Sequence, residues 1–302
     1  MNVTVTGASG FVGQNLARFF LKEDINFFPL SVRDRKWEEM MPMVGSALIH
    51  LAGKAHDTSN TTDQRVYFEV NRDLTIRIFD RFLASEIRDF FFISSVKAVA
   101  DTLVSPLTEE IAGSPLTPYG KSKREAEEYL LNQQLPEGKR LFIIRPCMIH
   151  GPYNKGNLNL LYNVVRKGIP WPLADFQNER SFLSVDNLCF LLGRMMRDET
   201  LSSGVYNFAD DSPISTNALV GLIGNCIGKS TKLWHFPKTI VKSIASIGDA
   251  IPFPLNSERL KKLTESYVVS NAKIKRELNL DKLPLTVEDG LKKTILSFVK
   301  PS

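Results

Sequence analysis

The first half of the chain alternates short, almost wholly apolar runs with longer stretches in which apolar residues recur every three or four positions. Runs at 3–6, 26–30, 47–51, 90–94 and 141–145 predict strands, and stretches at 11–22, 65–86 and 118–133 predict helices. Phe90-Phe91-Phe92-Ile93 shows no polar alternation, as in a parallel sheet whose two faces are both covered by helices. The series predicts a doubly wound parallel α/β fold.

After Arg145-Pro146 the pattern changes. Gly, Pro and Asn gather at 151–157 and Gly and Pro again at 168–172. Mostly helical stretches follow at 186–197, 215–226, 257–263, 271–278 and 287–298, with Ser215 or Thr216 and Ser270 as N-caps. A boundary near 150 is expected, with a sheet domain over 1–150 to which part of 181–209 returns. A smaller, mostly helical region would occupy 151–302.

Composition narrows the class. The 302 residues are 43% hydrophobic and 24% charged, ordinary for a folded globular chain. No apolar run is long enough to span a membrane, and Met1-Asn2-Val3-Thr4-Val5 opens on strand-like residues without a leader pattern, so no membrane insertion and a cytoplasmic location are expected. Three widely spaced cysteines (Cys147, Cys189, Cys226) indicate neither a disulfide framework nor a zinc site. The net charge of +5 suits nucleic acid, an anionic membrane surface or an anionic small molecule. Its basic residues are scattered, densest at Arg33-Asp34-Arg35-Lys36, with no stripe interleaved with aromatics, so nucleic acid is not the expected partner.

Gly7-Ala8-Ser9-Gly10-Phe11-Val12-Gly13 joins the first strand to the first helix. Gly7 allows the tight turn, Gly10 lets the backbone approach a pyrophosphate, and Gly13 lets the helix pack close to the strand, which predicts a Rossmann-like dinucleotide site. After the second strand, Leu30-Ser31-Val32-Arg33 has no acid for a ribose hydroxyl. Arg33 either meets a 2′-phosphate or is a solvated loop residue, leaving NAD and NADP both open.

Tyr119 and Lys123, spaced i and i+4, share one face of a helix opening near Pro118. A lysine ammonium one turn away helps a phenol ionise, so Tyr119 could exchange a proton with a sugar hydroxyl. Ser94-Ser95 ends a buried strand, at the sheet edge where ligands bind in such folds, and a hydroxyl there can bond the reacting oxygen.

The glycine pattern, Leu51-Ala52-Gly53, Asn71, Ser94-Ser95, Tyr119-x-x-x-Lys123 and Arg145-Pro146 together resemble the extended short-chain dehydrogenase/reductases. The segments ISSVK, PYGKSK, GPYNKGN and RSFLSVDNL are similar to its nucleotide-sugar epimerase and reductase branch, which includes UDP-glucose 4-epimerase. The resemblance covers nearly the whole chain. It implies Ser95, Tyr119 and Lys123 as catalytic, and Asn71 in a supporting hydrogen-bond network. Gly7, Gly10, Phe11, Val12, Gly13, Arg33, Leu51, Ala52 and Gly53 would lie around NAD or NADP. Asn157, Arg180 and Arg259 would approach a nucleotide diphosphate, although a surface arginine also serves as an ordinary ion-pair partner.

Departures from relatives narrow the chemistry. Sugar 4,6-dehydratases carry an Asp-Glu pair where this chain has Val96-Lys97. The GDP-fucose synthase type uses a cysteine and a histidine, where this chain has Val96 and Tyr153; His150 is out of register and reads as a packed residue. His50 and His56, flanking the third strand, read as structural or loop residues. The resemblance therefore implies a UDP-sugar 4-epimerase or, as the alternative, an NADPH-dependent 4-ketoreductase of a UDP-4-keto-6-deoxy-hexosamine, either one a homodimer. A redox-sensing regulator on this fold would lack the catalytic trio.

Overall fold

The computed structural model describes residues 1–54, 63–154, 157–250 and 256–299. Its strands are β1 (Asn2–Thr6), β2 (Asn26–Leu30), β3 (Val44–His50), β4 (Glu86–Ile93), β5 (Arg140–Pro146), β6 (Met148–His150), β7 (Phe182–Ser184) and β8 (Gly204–Phe208). Six of them form one parallel sheet in the order β2-β1-β3-β4-β5-β8, and β6 and β7 form a separate parallel pair. The helices of the first half are α1 (Phe11–Lys22), α2 (Trp37–Met40), α3 (Arg65–Phe68), α4 (Leu74–Leu83) and α5 (Pro118–Leu131). Those of the second half are α6 (Asn157–Arg166), α7 (Val185–Arg197), α8 (Thr216–Cys226), α9 (Lys238–Ala250), α10 (Ser257–Thr264), α11 (Ala272–Glu277) and α12 (Val287–Val299).

The aromatic run in β4 divides between two cores because successive strand residues point to opposite faces. Phe91 packs with Leu16 and Phe20 of α1 and with Leu188 and Leu192 of α7. Phe90 and Phe92 pack with Ile78, Phe79 and Phe82 of α4 and with Ala126 and Leu130 of α5. All three rings are fully buried, each worth about 2–3 kcal/mol of transfer free energy. α7 and β8 join this layer: β8 pairs with β5, and Gly193 of α7 lies against the Phe19 ring. A third core joins α6, α8 and α12 in the C-terminal half.

Three expectations are corrected. The 65–86 stretch is not one helix: a π-helical turn, Glu69–Asp73, separates α3 from α4, and β4 already begins at Glu86. Asp89 is fully buried within β4 because Arg140 clamps its carboxylate at 2.7 and 2.8 Å and Arg88 adds further bonds, a tertiary pairing that hides a charged residue in a strand. Ser270 does not cap α11: the cap position is Asn271, and Ser270 Oγ accepts only the Ala272 N–H, at 3.3 Å. Of the two cap candidates for α8, Ser215 is the one that caps, accepting the Ala218 N–H at 3.0 Å, as expected.

Candidate active site

The loops after β1, β3 and β4 meet at the carboxyl edge of the sheet. Gly7 adopts φ +69°, in the left-handed region, and accepts the Gly10 N–H at 3.0 Å. A Cβ at Gly7 would stand 2.7 Å from Ala52 N, and one at Gly13 would stand 2.6 Å from Gly7 O, so backbone fills the space a side chain would need. Gly10 is the cap residue of α1; no side chain bonds the first-turn amides and no acid lies in that turn. Phe11 and Val12 open the helix half-buried. An uncapped helix start behind a glycine turn offers free N–H groups and the positive end of the helix dipole, which fits a pyrophosphate.

Leu51, Ala52 and Gly53 cross the edge beside this turn. The Leu51 and Ala52 amides donate to Thr6 O at 3.3 Å and to Thr6 Oγ1 at 3.2 Å. Asn71, fully buried in the π-helical turn, binds both sides of the neighbouring peptide: its Oδ1 accepts the Lys54 N–H at 2.8 Å and its Nδ2 donates to Lys54 O at 3.0 Å. Its Nδ2 also donates to Ser122 Oγ at 3.0 Å, tying the loop to α5.

Thr117 caps α5 by accepting the Gly120 N–H at 3.2 Å, and Pro118 fills the first helical position. That start fixes Tyr119 at the edge and Lys123 one turn on. The Tyr119 ring meets Tyr67 edge-on at 6.4 Å. Burial raises its phenol above the ordinary value near 10, while a hydrogen bond with the Ser95 side chain acts in the opposite sense; Glu127 and Tyr67 push upward. Lys123 is buried, and Nζ donates to Ile93 O at 2.8 Å. Burial lowers its ammonium to about 8, with Glu127 opposing.

The serine pair splits. Ser94 Oγ donates to Glu127, whose carboxylate also takes Arg145 in a buried bidentate pair at 2.6 to 3.2 Å. Ser95 caps the next turn by accepting the Lys97 N–H at 3.1 Å.

The arginines occupy the C-terminal side. The Arg180 guanidinium donates to Lys262 O in α10, the helix that also carries exposed Arg259. Arg180 and Arg259 thus sit on joined elements. Asn157 opens α6, but its side chain, like His56, lies outside the described residues. Arg33 is exposed after β2, with no hydrogen-bond or ion-pair partner among the described residues. His150 is buried, with Nδ1 2.9 Å from Thr294 Oγ1, as a packed residue.

Lys97 is a residue the sequence reading passed over except as a departure from the dehydratases. Its ammonium lies 4.1 Å from the Tyr267 ring centroid and donates to Asp101 O at 2.9 Å. Burial, and after it the nearby charges of Arg180 and Lys261, lower its pKa against Asp101 and Glu265. The available signal was its place two residues after Ser95.

The profile of the NAD dependent epimerase/dehydratase family matches residues 3–209. The chain belongs to this family. UDP-glucose 4-epimerase of Vibrio cholerae is 28% identical over 323 residues, spanning 99% of this chain and 96% of the relative. RMD from Pseudomonas aeruginosa, solved with NADPH, shares the fold at TM-score 0.75 and 21% identity over 98% of each chain. The Thermus thermophilus UDP-glucose 4-epimerase solved with NAD does so at TM-score 0.75 and 18% identity over 100% of each. The protein is an NAD(P)-dependent enzyme of the nucleotide-sugar epimerase and reductase class. No helix among the described residues is long and apolar enough to cross a membrane.

The depressed Lys123 gives a stability prediction. A lysine whose folded pKa lies below its unfolded 10.5 disfavours folding fully below about pH 8, and this cost is relieved as pH rises from 8 to 10.5. Lys123→Met should therefore be more stable than wild type at pH 7, with the difference shrinking at pH 9.5. Urea denaturation at the two pH values checks this; an equal difference at both would contradict it.

Proposed function

We propose that the protein is a UDP-hexose 4-epimerase that works through Ser95, Tyr119 and Lys123. The observation that carries this reading is the convergence on one sheet edge of the glycine cradle, of buried Lys123, whose Nζ donates to Ile93 O, and of Asn71, which ties the 51–54 loop to the helix that carries Tyr119. Bound NAD or NADP supplies hydride exchange with the sugar C4. Tyr119 Oη holds and moves the proton of the C4 oxygen, and Ser95 Oγ donates to that same oxygen. Lys123 and Asn71 keep α5 and the 51–54 loop in register around it. Arg180 and Arg259 hold the diphosphate remote from C4, so that binding energy from a non-reacting group positions the sugar. A cleft of about 550 Å³ along α10, the helix that carries Arg259, is lined by Lys238, Lys242 and Lys261 together with Glu265.

A second reading, the NADPH-dependent 4-ketoreductase, draws support from the missing acid after β2 and from exposed Arg33, without a partner among the described residues, which suits a 2′-phosphate. Nucleotide released from the denatured protein separates the two: retained NAD fits the epimerase, and an empty site fits a reductase that releases its cofactor each turnover. A homodimer through paired helices belongs to either reading.

Arg180→Ala and Arg259→Ala should each lower kcat/KM for UDP-galactose by about ten- to a hundredfold and leave cofactor affinity close to wild type. Calorimetry with UDP checks the clamp. No UDP binding to wild type, or binding indifferent to both substitutions, would remove the nucleotide-sugar assignment.

A further inference from the structure

His50 ends β3 fully buried, its ring 5.9 Å from Phe92 in a stacked arrangement, and both ring nitrogens have hydroxyl partners. Nδ1 lies 2.7 Å from Thr6 Oγ1, and Nε2 lies 3.0 Å from Thr75 Oγ1. The direction of each bond follows from donor counting. The Thr75 hydroxyl has one proton, and it goes to Asn71 O at 2.8 Å. Thr75 Oγ1 must then accept from His50, so Nε2 carries the hydrogen and Nδ1 is the acceptor. Thr6 gives its proton to Nδ1, and Thr6 Oγ1 accepts the Ala52 N–H at 3.2 Å. A single directed chain runs from Ala52 through Thr6, His50 and Thr75 to the Asn71 carbonyl.

The two ends of that chain are parts of the candidate site. Ala52 begins the segment whose far end, Lys54, is held by the Asn71 side chain. Between them Gly53 lies so close that a Cβ would stand 3.1 Å from Asn71 Oδ1 and 3.3 Å from Lys123 Nζ. Asn71 continues through Ser122 Oγ, which donates to Tyr119 O at 2.9 Å. Asn71 sits in the π-helical turn, a wider turn than its neighbours, so its placement needs support from outside the helix.

We propose that His50 is a positioning residue: as a neutral imidazole with the hydrogen on Nε2, it sets Asn71 and the 51–54 loop, and through them the first turn of α5 that carries Tyr119. Burial, with Lys123 adding to it, lowers His50 to about 3, so the ring keeps one tautomer across the working range. A charged ring would set its Nδ1–H against the Thr6 O–H, and a reversed ring would do the same and also leave two acceptors, Nε2 and Thr75 Oγ1, facing each other. Hydroxyls, amide and imidazole are each used in one sense only, the condition under which a buried polar chain fixes geometry. Misplacing reacting groups by about 1 Å can cost about a hundredfold in rate.

The activity arm rests on the epimerase reading, and the spectroscopic arm does not. His50→Phe keeps the ring stack and removes both bonds; Thr75→Val keeps shape and breaks the same chain one link on. Each should lower kcat for UDP-galactose about 30- to 100-fold with KM changed less than about threefold, because the chain touches no substrate. The double variant should be no slower than the worse single one, since one broken chain cannot be broken twice. His50→Gln, which restores a donor toward Thr75, should recover most of the loss. Nitrogen-15 NMR of labelled wild-type protein should show His50 as a neutral Nε2–H imidazole that does not titrate between about pH 5.5 and 9. Additive losses, a change confined to KM, or a melting-temperature loss with kcat kept would reduce His50 to packing. An Nδ1–H or titrating ring would overturn the chain even where no UDP-hexose is turned over.

Discussion

Tyr119→Phe is expected to lower kcat by about 10²–10⁴-fold, the usual scale for removing a positioned proton-transfer group. The fold should survive. The ring keeps its contact with Tyr67, and losing one hydroxyl and whatever bond it makes costs about 0.5–1.5 kcal/mol, a few degrees of melting temperature for a chain of this size. Steady-state kinetics beside a thermal melt separates the effects. Activity within about threefold of wild type would show that Tyr119 is not the proton-transfer group, and unfolding of the variant would transfer the loss to structure.

Glu127→Leu should be the most destabilising single change on α5. Glu127 is fully buried between Ser94 and Arg145, and Arg145 is 3% exposed, with every side-chain hydrogen bond it makes among the described residues going to this one carboxylate. Its Nη1 already lacks a partner. Removing the carboxylate leaves a buried guanidinium unpaired, at a cost of about 3–5 kcal/mol. The double variant Glu127→Leu/Arg145→Met should regain most of that, because an apolar pair of similar volume leaves no charge uncompensated. Urea denaturation of the three proteins checks this; a single-variant loss under about 1 kcal/mol, or a double variant no better than the single, would contradict it. The charge of Glu127 also raises the pKa of both Tyr119 and Lys123.

What the sequence made legible was whatever depends on local spacing. Glycines at 7, 10 and 13 after an apolar run specify a turn and a helix start by themselves, and the four-residue step from Tyr119 to Lys123 sets one helix face. Features made by residues distant in sequence were not legible. Ser94 and Ser95 look equivalent until Glu127 and Arg145 converge on one of them. The early start of β4 depends on Arg140 covering Asp89. Asn71 reaches the loop because a π-helical turn interrupts an apolar periodicity that reads as one helix, and that interruption leaves no mark in residue pattern. The link between Arg180 and the helix carrying Arg259 runs through the Lys262 carbonyl, a backbone atom without a sequence signature.

If Ser95, Tyr119 and Lys123 act on C4 of a UDP-hexose, proton NMR will show it in UDP-galactose incubated with the protein as purified. The anomeric signal of UDP-glucose should grow in to an equilibrium mixture, with wild type and not with Tyr119→Phe. An unchanged UDP-galactose spectrum at stoichiometric protein, with NAD or NADPH supplied in turn, would contradict the epimerase account.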